Sequence, residues 1–167
     1  MVDSLTRLPN ACALFLELDA ELARSRRSGK ELSVIVLDVD RFKDINDRYG
    51  HNHGDELLRT MGRRIKERCR EYDRLARMGG DEFAVVLPEC PHDALEQKIA
   101  AIVEAAEEAA REVSSGMRFH ASTGYASYPQ DGENAAELLA TAEDRMSELK
   151  QSRYASAMNC REPLHLA

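Results

Sequence analysis

Two acidic stretches in this chain have the residue types and spacing to do chemistry: Asp38-Val39-Asp40 and Gly79-Gly80-Asp81-Glu82. The first lies where an apolar, β-like run stops. A carboxylate at a strand end, beside a free backbone carbonyl, offers Mg²⁺ the hard oxygen ligands it prefers and leaves its other positions to water and phosphate. The same pattern also suits an aspartate that merely caps the following helix. The second stretch separates two β-like runs. Its glycines let a phosphate approach the backbone closely, while Asp81 and Glu82 bring two carboxylates to the apex. A turn rich in Gly and Asp is equally an ordinary solvated hairpin. Neither stretch decides alone. If both lie on one short sheet, Asp38 and Asp81 can share metals, and paired metals clamping the attacking and leaving oxygens are the general solution to phosphoryl and nucleotidyl transfer. Together they point to a metal-dependent nucleotide enzyme.

The surrounding elements must bring these stretches together. Asn10 can cap a helix running to about Ser28, with Leu14, Phe15, Leu18 and Leu22 on one face and Gly29 ending it. Glu31 to Asp38 is almost continuously apolar and β-rich, which predicts a central strand. Arg41 to Tyr49 reads as a helix, Gly50 to Gly54 as a turn, and Asp55 to Glu71 as a helix with Leu58, Met61, Ile65 and Cys69 along one side. Arg74 to Met78 and Phe83 to Leu87 are two short strands, joined by glycines of the kind that tight hairpin turns require. A helix over Asp93 to Val113, a strand over Arg118 to Tyr128 and a helix over Ala135 to Arg153 complete the pattern, and no pattern is clear from Ala155 onward. After the first helix the order is β-α-α-β-β-α-β-α. It predicts an α+β fold, a mainly antiparallel sheet with helices packed against it.

Composition narrows the function. The 167 residues suit one domain, and the net charge of −7, from 23 basic and 30 acidic side chains with few aromatics, argues against general nucleic-acid binding. An acidic protein can still hold a nucleotide when metal ions bridge carboxylate to phosphate. The longest apolar runs fall far short of the ~20 residues that span a membrane, so no membrane contact is expected, and no signal peptide opens the chain. Cys12, Cys69, Cys90 and Cys160 are scattered without a CxxC pair, which reads as thiols in a reducing compartment rather than a zinc or disulfide framework. His53 reads as a solvated turn residue, His92 as a helix-start residue and His120 as a strand residue.

Residues 38 to 55, D-V-D-R-F-K-D-I-N-D-R-Y-G-H-N-H-G-D, resemble the pattern D-x-D-x-F-K-x-x-N-D-x-x-G-H-x-x-G-D of the GGDEF family at all ten specified positions. Arg77 to Phe83 carries the motif that names that family, Asp3 to Asn10 is similar to its opening D-x-L-T-x-L-x-N, and Ser122-Thr123-Gly124 to its S-x-G. The resemblance runs from Asp3 to about Arg153 and implies a diguanylate cyclase. Such an enzyme condenses two GTP into cyclic di-GMP on a palm-like, ferredoxin-like sheet in the bacterial cytoplasm, usually under an N-terminal sensor or a membrane anchor. The catalytic domain would span residues 1–154, with a tail over 155–167.

Carried over by position, the resemblance places Mg²⁺, or Mn²⁺, on Asp38, the Val39 carbonyl and Asp81. Asp81 would accept the proton of the attacking 3′-hydroxyl, Glu82 being a second candidate for that role or an extra metal ligand. Lys43 would neutralise phosphate charge in the transition state. Asn46 and Asp55 would read guanine, His51 would line the pocket, and Phe42, Gly79, Gly80 and Lys150 would complete the substrate contacts. An inhibitory product site R-x-x-D is implied at Arg70 and Asp73, since Asp73 stands six residues before Gly79. Turnover would need two copies of the domain. There are departures: Ala11 follows the opening Asn where the family has Arg, Ser147 replaces a Tyr, and Tyr154 stands where a second phosphate-binding Arg would fall, with Arg153 one position away. These departures leave a second reading, a weakened module that senses GTP or cyclic di-GMP.

Overall fold

The computed structural model describes residues 1–159. Its elements are α1 (Ala11–Ser28), β1 (Leu32–Val39), α2 (Phe42–Tyr49), α3 (His51–Glu67), β2 (Arg74–Gly79), β3 (Glu82–Pro88), α4 (Leu95–Val113), β4 (Ala121–Tyr128) and α5 (Ala135–Asn159). A 3₁₀ turn at His92–Ala94 leads into α4. The four strands form one sheet in the order β2-β3-β1-β4, every neighbouring pair antiparallel. The fold is therefore α+β, as the element order predicts, with the strand order of the ferredoxin-like sheet that the resemblance implies. The central strand expected from its apolar run is β1, flanked by β3 and β4.

Because strand side chains alternate between faces, β1 supplies two cores. Ile35, Leu37 and Val39 join Phe83 and Val85 against α3 and α4, through Leu57, Met61, Ile65, Ile102 and the alanines 105, 106, 109 and 110. Leu32, Val34 and Val36 join Ala84 and Val86 against α1 and α5, through Leu14, Leu18, Leu22, Leu138 and Ala142. The α3–α4 pair is laced outside by ion pairs from Arg63, Arg64 and Arg68 to Glu104, Glu108 and Glu112.

The helix ends follow local chemistry. The Asn10 side chain accepts from the Ala13 amide at 3.0 Å, and Gly29 closes α1 in the left-handed conformation at φ 71°. Phe15 departs from the expected apolar face: it is 40% exposed, because the buried stripe runs strictly through Leu14, Leu18 and Leu22. The expected Gly50–Gly54 turn is a single residue. Gly50 alone breaks the chain, at φ 90°, and α3 begins at His51. Gly54 is small for a different reason. A Cβ there would fall 1.9 Å from Asn46 Oδ1, so it marks a close approach of α3 to α2. The helix expected to reach Glu71 stops at Glu67, where the Arg68 amide donates to the Ile65 carbonyl at 3.0 Å and the Cys69 amide to the Lys66 carbonyl at 3.1 Å. The strand expected from Arg118 starts at Ala121, opposite the last residue of β1, since the ladder ends with its partner. At the other end α5 continues past Arg153 to Asn159, so the segment without clear pattern is helical that far.

Cys12 is exposed, Cys69 half-buried and Cys90 buried, all three as free thiols; Cys160 lies outside the described residues. Burial, followed by the nearby charge of Asp73, pushes the Cys69 thiol up to about 11, which makes it a poor nucleophile. Among the described residues no helix is long and apolar enough to cross a membrane.

Candidate active site

The register between β1 and β3 pairs Asp38 with Glu82, so the D-x-D end of one strand lies beside the glycine hairpin of the next. The hairpin turns through Gly79 at φ 145° and Gly80 at φ 50°, which only glycine adopts without strain. A bulge between Arg77 and Gly79 sharpens it. The opening motif holds this turn in place. Asp3 accepts from the Thr6 amide and hydroxyl, both at 2.7 Å, and from Arg77 Nη1 at 2.9 Å, while Arg77 Nε and Nη2 donate to the Gly80 carbonyl at 3.0 and 2.7 Å. Burial works against the charge on Asp3, but these hydrogen bonds outweigh it and hold its carboxyl below the usual range.

β4 and α5 complete the site from the other side. Ser122 Oγ donates to Asp40 Oδ1 at 2.7 Å. Gly124 lets the backbone of α5 lie directly on β4, for a Cβ there would stand 1.8 Å from the Ala142 carbonyl oxygen. So seated, α5 delivers Lys150 Nζ to Asp38 Oδ2 at 2.7 Å and to 3.9 Å from Asp40 Oδ1. Arg153 Nη1 reaches Asp40 Oδ2 at 3.4 Å and donates to the Ala121 carbonyl at 2.7 Å.

Carboxylates dominate the electrostatics. Burial raises the Asp38 carboxyl, the charges of Asp81 and Asp40 add to that, and Lys150 offsets part of it. Glu82 is raised from 4.5 to about 7 by burial, then by Glu143 on α5, Asp38 and Asp81. Burial alone would lower the Lys150 ammonium, but the Asp38 hydrogen bond and the charges of Asp40 and Asp81 lift it. Crowded carboxylates of this kind favour a bound cation.

Asp38 Oδ1 and Glu82 Oε1 are buried with no hydrogen-bond partner among the described residues. Buried carboxylate oxygens are costly to leave unsatisfied, and hard oxygen donors are what Mg²⁺ takes. Among the described residues no three acidic, His or Cys side chains already converge in ligand geometry. The donor set of Asp38, Asp81 and the Val39 carbonyl needs only two acidic side chains, and the residues present fit the ion.

The remaining candidates fall in three places. Phe42, Lys43 and Asn46 lie on α2, Lys43 exposed and the other two half-buried; His51 opens α3 and Asp55 follows one turn later, His51 exposed and Asp55 half-buried. Gly54 joins the two groups through its approach to Asn46 and Phe42. Arg70 and Asp73 stand apart, at the far end of β2 and about 20 Å along the strand from the hairpin. Their geometry is closed. Asp73 has no exposed side-chain surface; it accepts from Arg70 Nη2 at 2.8 Å, Nε at 3.0 Å and the Arg70 amide at 2.7 Å, with Lys98 Nζ at 3.4 Å. Arg70 also donates to the Pro88 carbonyl at 2.9 Å and lies over Tyr72, 4.7 Å from its ring centre. His53 is exposed, His92 opens the 3₁₀ turn, and His120 precedes β4, its carbonyl accepting from Asp40.

Sequence reasoning missed the contact of Glu143 with Glu82 and the clamp of Ser122 on Asp40. Glu143 lies 61 residues beyond its partner and no spacing rule links them. Ser122 was visible only as part of S-T-G. Arg153 was noticed for its charge, not for its contact with Asp40.

Comparison with known proteins agrees with this architecture. The family model described as diguanylate cyclase, GGDEF domain, matches residues 1–155. The chain is 39% identical to diguanylate cyclase TpbB of Pseudomonas aeruginosa over 146 residues, which is 86% of this chain and 34% of that protein. The crystal structure of the GGDEF domain of TpbB from that organism superposes with a TM-score of 0.81 at 35% identity, covering 88% of this chain and 92% of the other. The GGDEF domain of DgcB from Caulobacter crescentus, solved in complex with c-di-GMP, superposes with a TM-score of 0.73 at 28% identity, covering 90% of this chain and 88% of the other. This chain therefore belongs to the GGDEF domain family of diguanylate cyclases. It spans only about a third of the length of TpbB.

Proposed function

We propose that the domain condenses two GTP into cyclic di-GMP with release of two pyrophosphates. The observation that carries this is the β1–β3 register, which sets Asp38 against Glu82 and thereby the D-x-D beside Gly79-Gly80-Asp81-Glu82. Asp38, Asp81 and the Val39 carbonyl hold Mg²⁺, or Mn²⁺ in its place. When bound, that ion supplies positive charge against the GTP phosphates and at the reacting oxygens. Asp81 at the hairpin apex accepts the 3′-hydroxyl proton, and Glu82, its carboxyl pushed up to about 7 by burial and its acidic neighbours, is the second candidate for that role or an extra metal ligand. Gly79 and Gly80 admit the phosphates to the backbone, and Lys43 and Lys150 neutralise them.

Phe42, Asn46, His51 and Asp55 form the base pocket across the α2–α3 junction. A carboxylate at Asp55 accepts from both N1–H and the 2-amino group of guanine; adenine offers neither donor and would leave a desolvated carboxylate unpaired. Each domain holds one nucleotide, so two copies meet with their sites face to face, each 3′-hydroxyl in line with the other's α-phosphate. Arg70 and Asp73, remote from the reacting groups, form a feedback site for the product, where guanine or phosphate oxygens compete for the Arg70 fork. The reading places the domain with its substrate in the bacterial cytoplasm.

The test is incubation with GTP and Mg²⁺, followed by chromatography for cyclic dinucleotide. Wild type is expected to form cyclic di-GMP at a rate per molecule that rises with protein concentration, and Asp81→Asn to lose it at least a hundredfold with the fold retained. Nucleotide binding without any product, in wild type at high concentration, would instead establish the sensing module.

A further inference from the structure

Two cations of α5 already neutralise the acidic centre. Lys150 Nζ lies 2.7 Å from Asp38 Oδ2 and 3.9 Å from Asp40 Oδ1, in a pair whose side chains are 27% and 13% exposed. Arg153 Nη1 lies 3.4 Å from Asp40 Oδ2 and is steadied by the Ala121 carbonyl. The free oxygens, Asp38 Oδ1 and Glu82 Oε1, are those that neither cation reaches. Tyr154, where the family's second cation would fall, instead lies under Arg41, whose guanidinium carbon is 5.9 Å from the ring centre. In this chain both α5 cations that flank the centre are thus directed at carboxylates.

We infer that Lys150 and Arg153 are displaceable internal counter-ions, so that divalent metal and nucleotide load the centre together and neither binds well alone. A divalent ion on the free Asp38 Oδ1 would share that carboxylate with the Lys150 ammonium, which holds Oδ2. Like charges on one half-buried carboxylate repel, so the ion and the ammonium each weaken the other's hold on Asp38. Metal alone must bind Asp38 against the charge of the lysine already on it, or drive that ammonium off unpaired. Nucleotide alone must pull Lys150 from a carboxylate that has no other cation partner among the described residues. When both arrive, the ion takes the carboxylates and the phosphates take the two cations. By linkage, the factor by which nucleotide tightens metal binding equals the factor by which metal tightens nucleotide binding.

This rests on the proposed role of Asp38 as a metal ligand, and the test separates the two. Mn²⁺ is titrated into the domain without nucleotide, free Mn²⁺ being read by electron paramagnetic resonance, and then again with a non-reacting GTP analogue. Wild type is expected to bind Mn²⁺ weakly alone and much more tightly with the analogue. Lys150→Met should bind Mn²⁺ alone on the order of tenfold more tightly than wild type, and the analogue's enhancement should shrink by a similar factor. Arg153→Gln should gain roughly threefold, while Lys150→Arg, which keeps the charge, should remain weak. Thermal melting shows that each variant is folded, and Arg153→Gln carries the test if Lys150→Met is not. A folded Lys150→Met or Arg153→Gln that binds Mn²⁺ alone no better than wild type overturns the counter-ion inference and leaves the proposed function standing. Wild type that binds Mn²⁺ neither alone nor with the analogue overturns both.

Discussion

Gly124→Ala adds one methyl group where β4 and α5 touch, and the structure sets its consequences. The new Cβ would lie 1.8 Å from the Ala142 carbonyl oxygen, 2.6 Å from the Met146 amide nitrogen and 2.9 Å from the Ala142 carbonyl carbon. All three are backbone atoms of a helix, so no side chain can turn aside. Ordinary contact is near 3.4 Å, and α5 must retreat by about 1.5 Å, breaking the seat of Leu138, Ala142 and Met146 in the core. Overpacking of this kind costs about 3 kcal/mol, the upper end of the usual range. For a domain of this size that lowers the melting temperature by roughly 6–12 °C. The same retreat carries Lys150, and with it the Asp38 contact, out of place, and a misplacement of about 1 Å in a catalytic constellation costs on the order of a hundredfold in rate. Calorimetric melting and the GTP assay, run beside Gly116→Ala as a control, read both effects. Gly116 has nothing within 4 Å of its Cβ position and should tolerate the change. A Gly124→Ala domain that melts within about 2 °C of wild type and turns over normally would refute the claim that this glycine seats α5.

Three further outcomes follow from the site. Glu82 is raised from 4.5 to about 7 in the folded protein, so between those values the native state binds the proton and the unfolded chain does not. Metal-free protein should therefore lose on the order of 1–2 kcal/mol of stability as pH rises from 5 to 8, after allowing for solvent screening, and Glu82→Gln should flatten that slope in melting curves; an unchanged slope would remove Glu82 as its source. Among the described residues Arg70→Ala leaves the buried Asp73 carboxylate with only Lys98 and the backbone amide of residue 70, so it should cost about 1–3 kcal/mol in stability and weaken cyclic di-GMP binding at least tenfold by calorimetry. Product affinity unchanged in that variant would make the pair purely structural. Asp55→Ser should relax guanine selectivity by removing the carboxylate that adenine leaves unpaired, so that ATP competes measurably in nucleotide-binding titrations; continued full exclusion of ATP would move base reading to other residues.

Much of the architecture was legible one residue at a time, because its causes are local. The apolar run of β1, the Asn10 cap, the Gly29 stop and the glycine hairpin each act within a few residues, and the structure has them where the sequence predicts them. The motif positions were equally legible, since nearly all the proposed metal ligands and base readers come from two short stretches. Element ends were less so. Gly54 resembles a turn residue in sequence, but its smallness serves a helix–helix approach to Asn46, and β4 is shortened to match its partner strand rather than by any residue of its own. What only tertiary structure decided is the charge balance of the centre. Asp38 meets Glu82 through a strand register, Lys150 meets Asp38 across 112 residues, and Arg153 meets Asp40 across 113. Each depends on where the sheet and α5 are seated against one another, and Gly124 makes that seating possible. Sequence spacing carries no signal for such contacts, because they are set by the packing of elements that lie far apart along the chain.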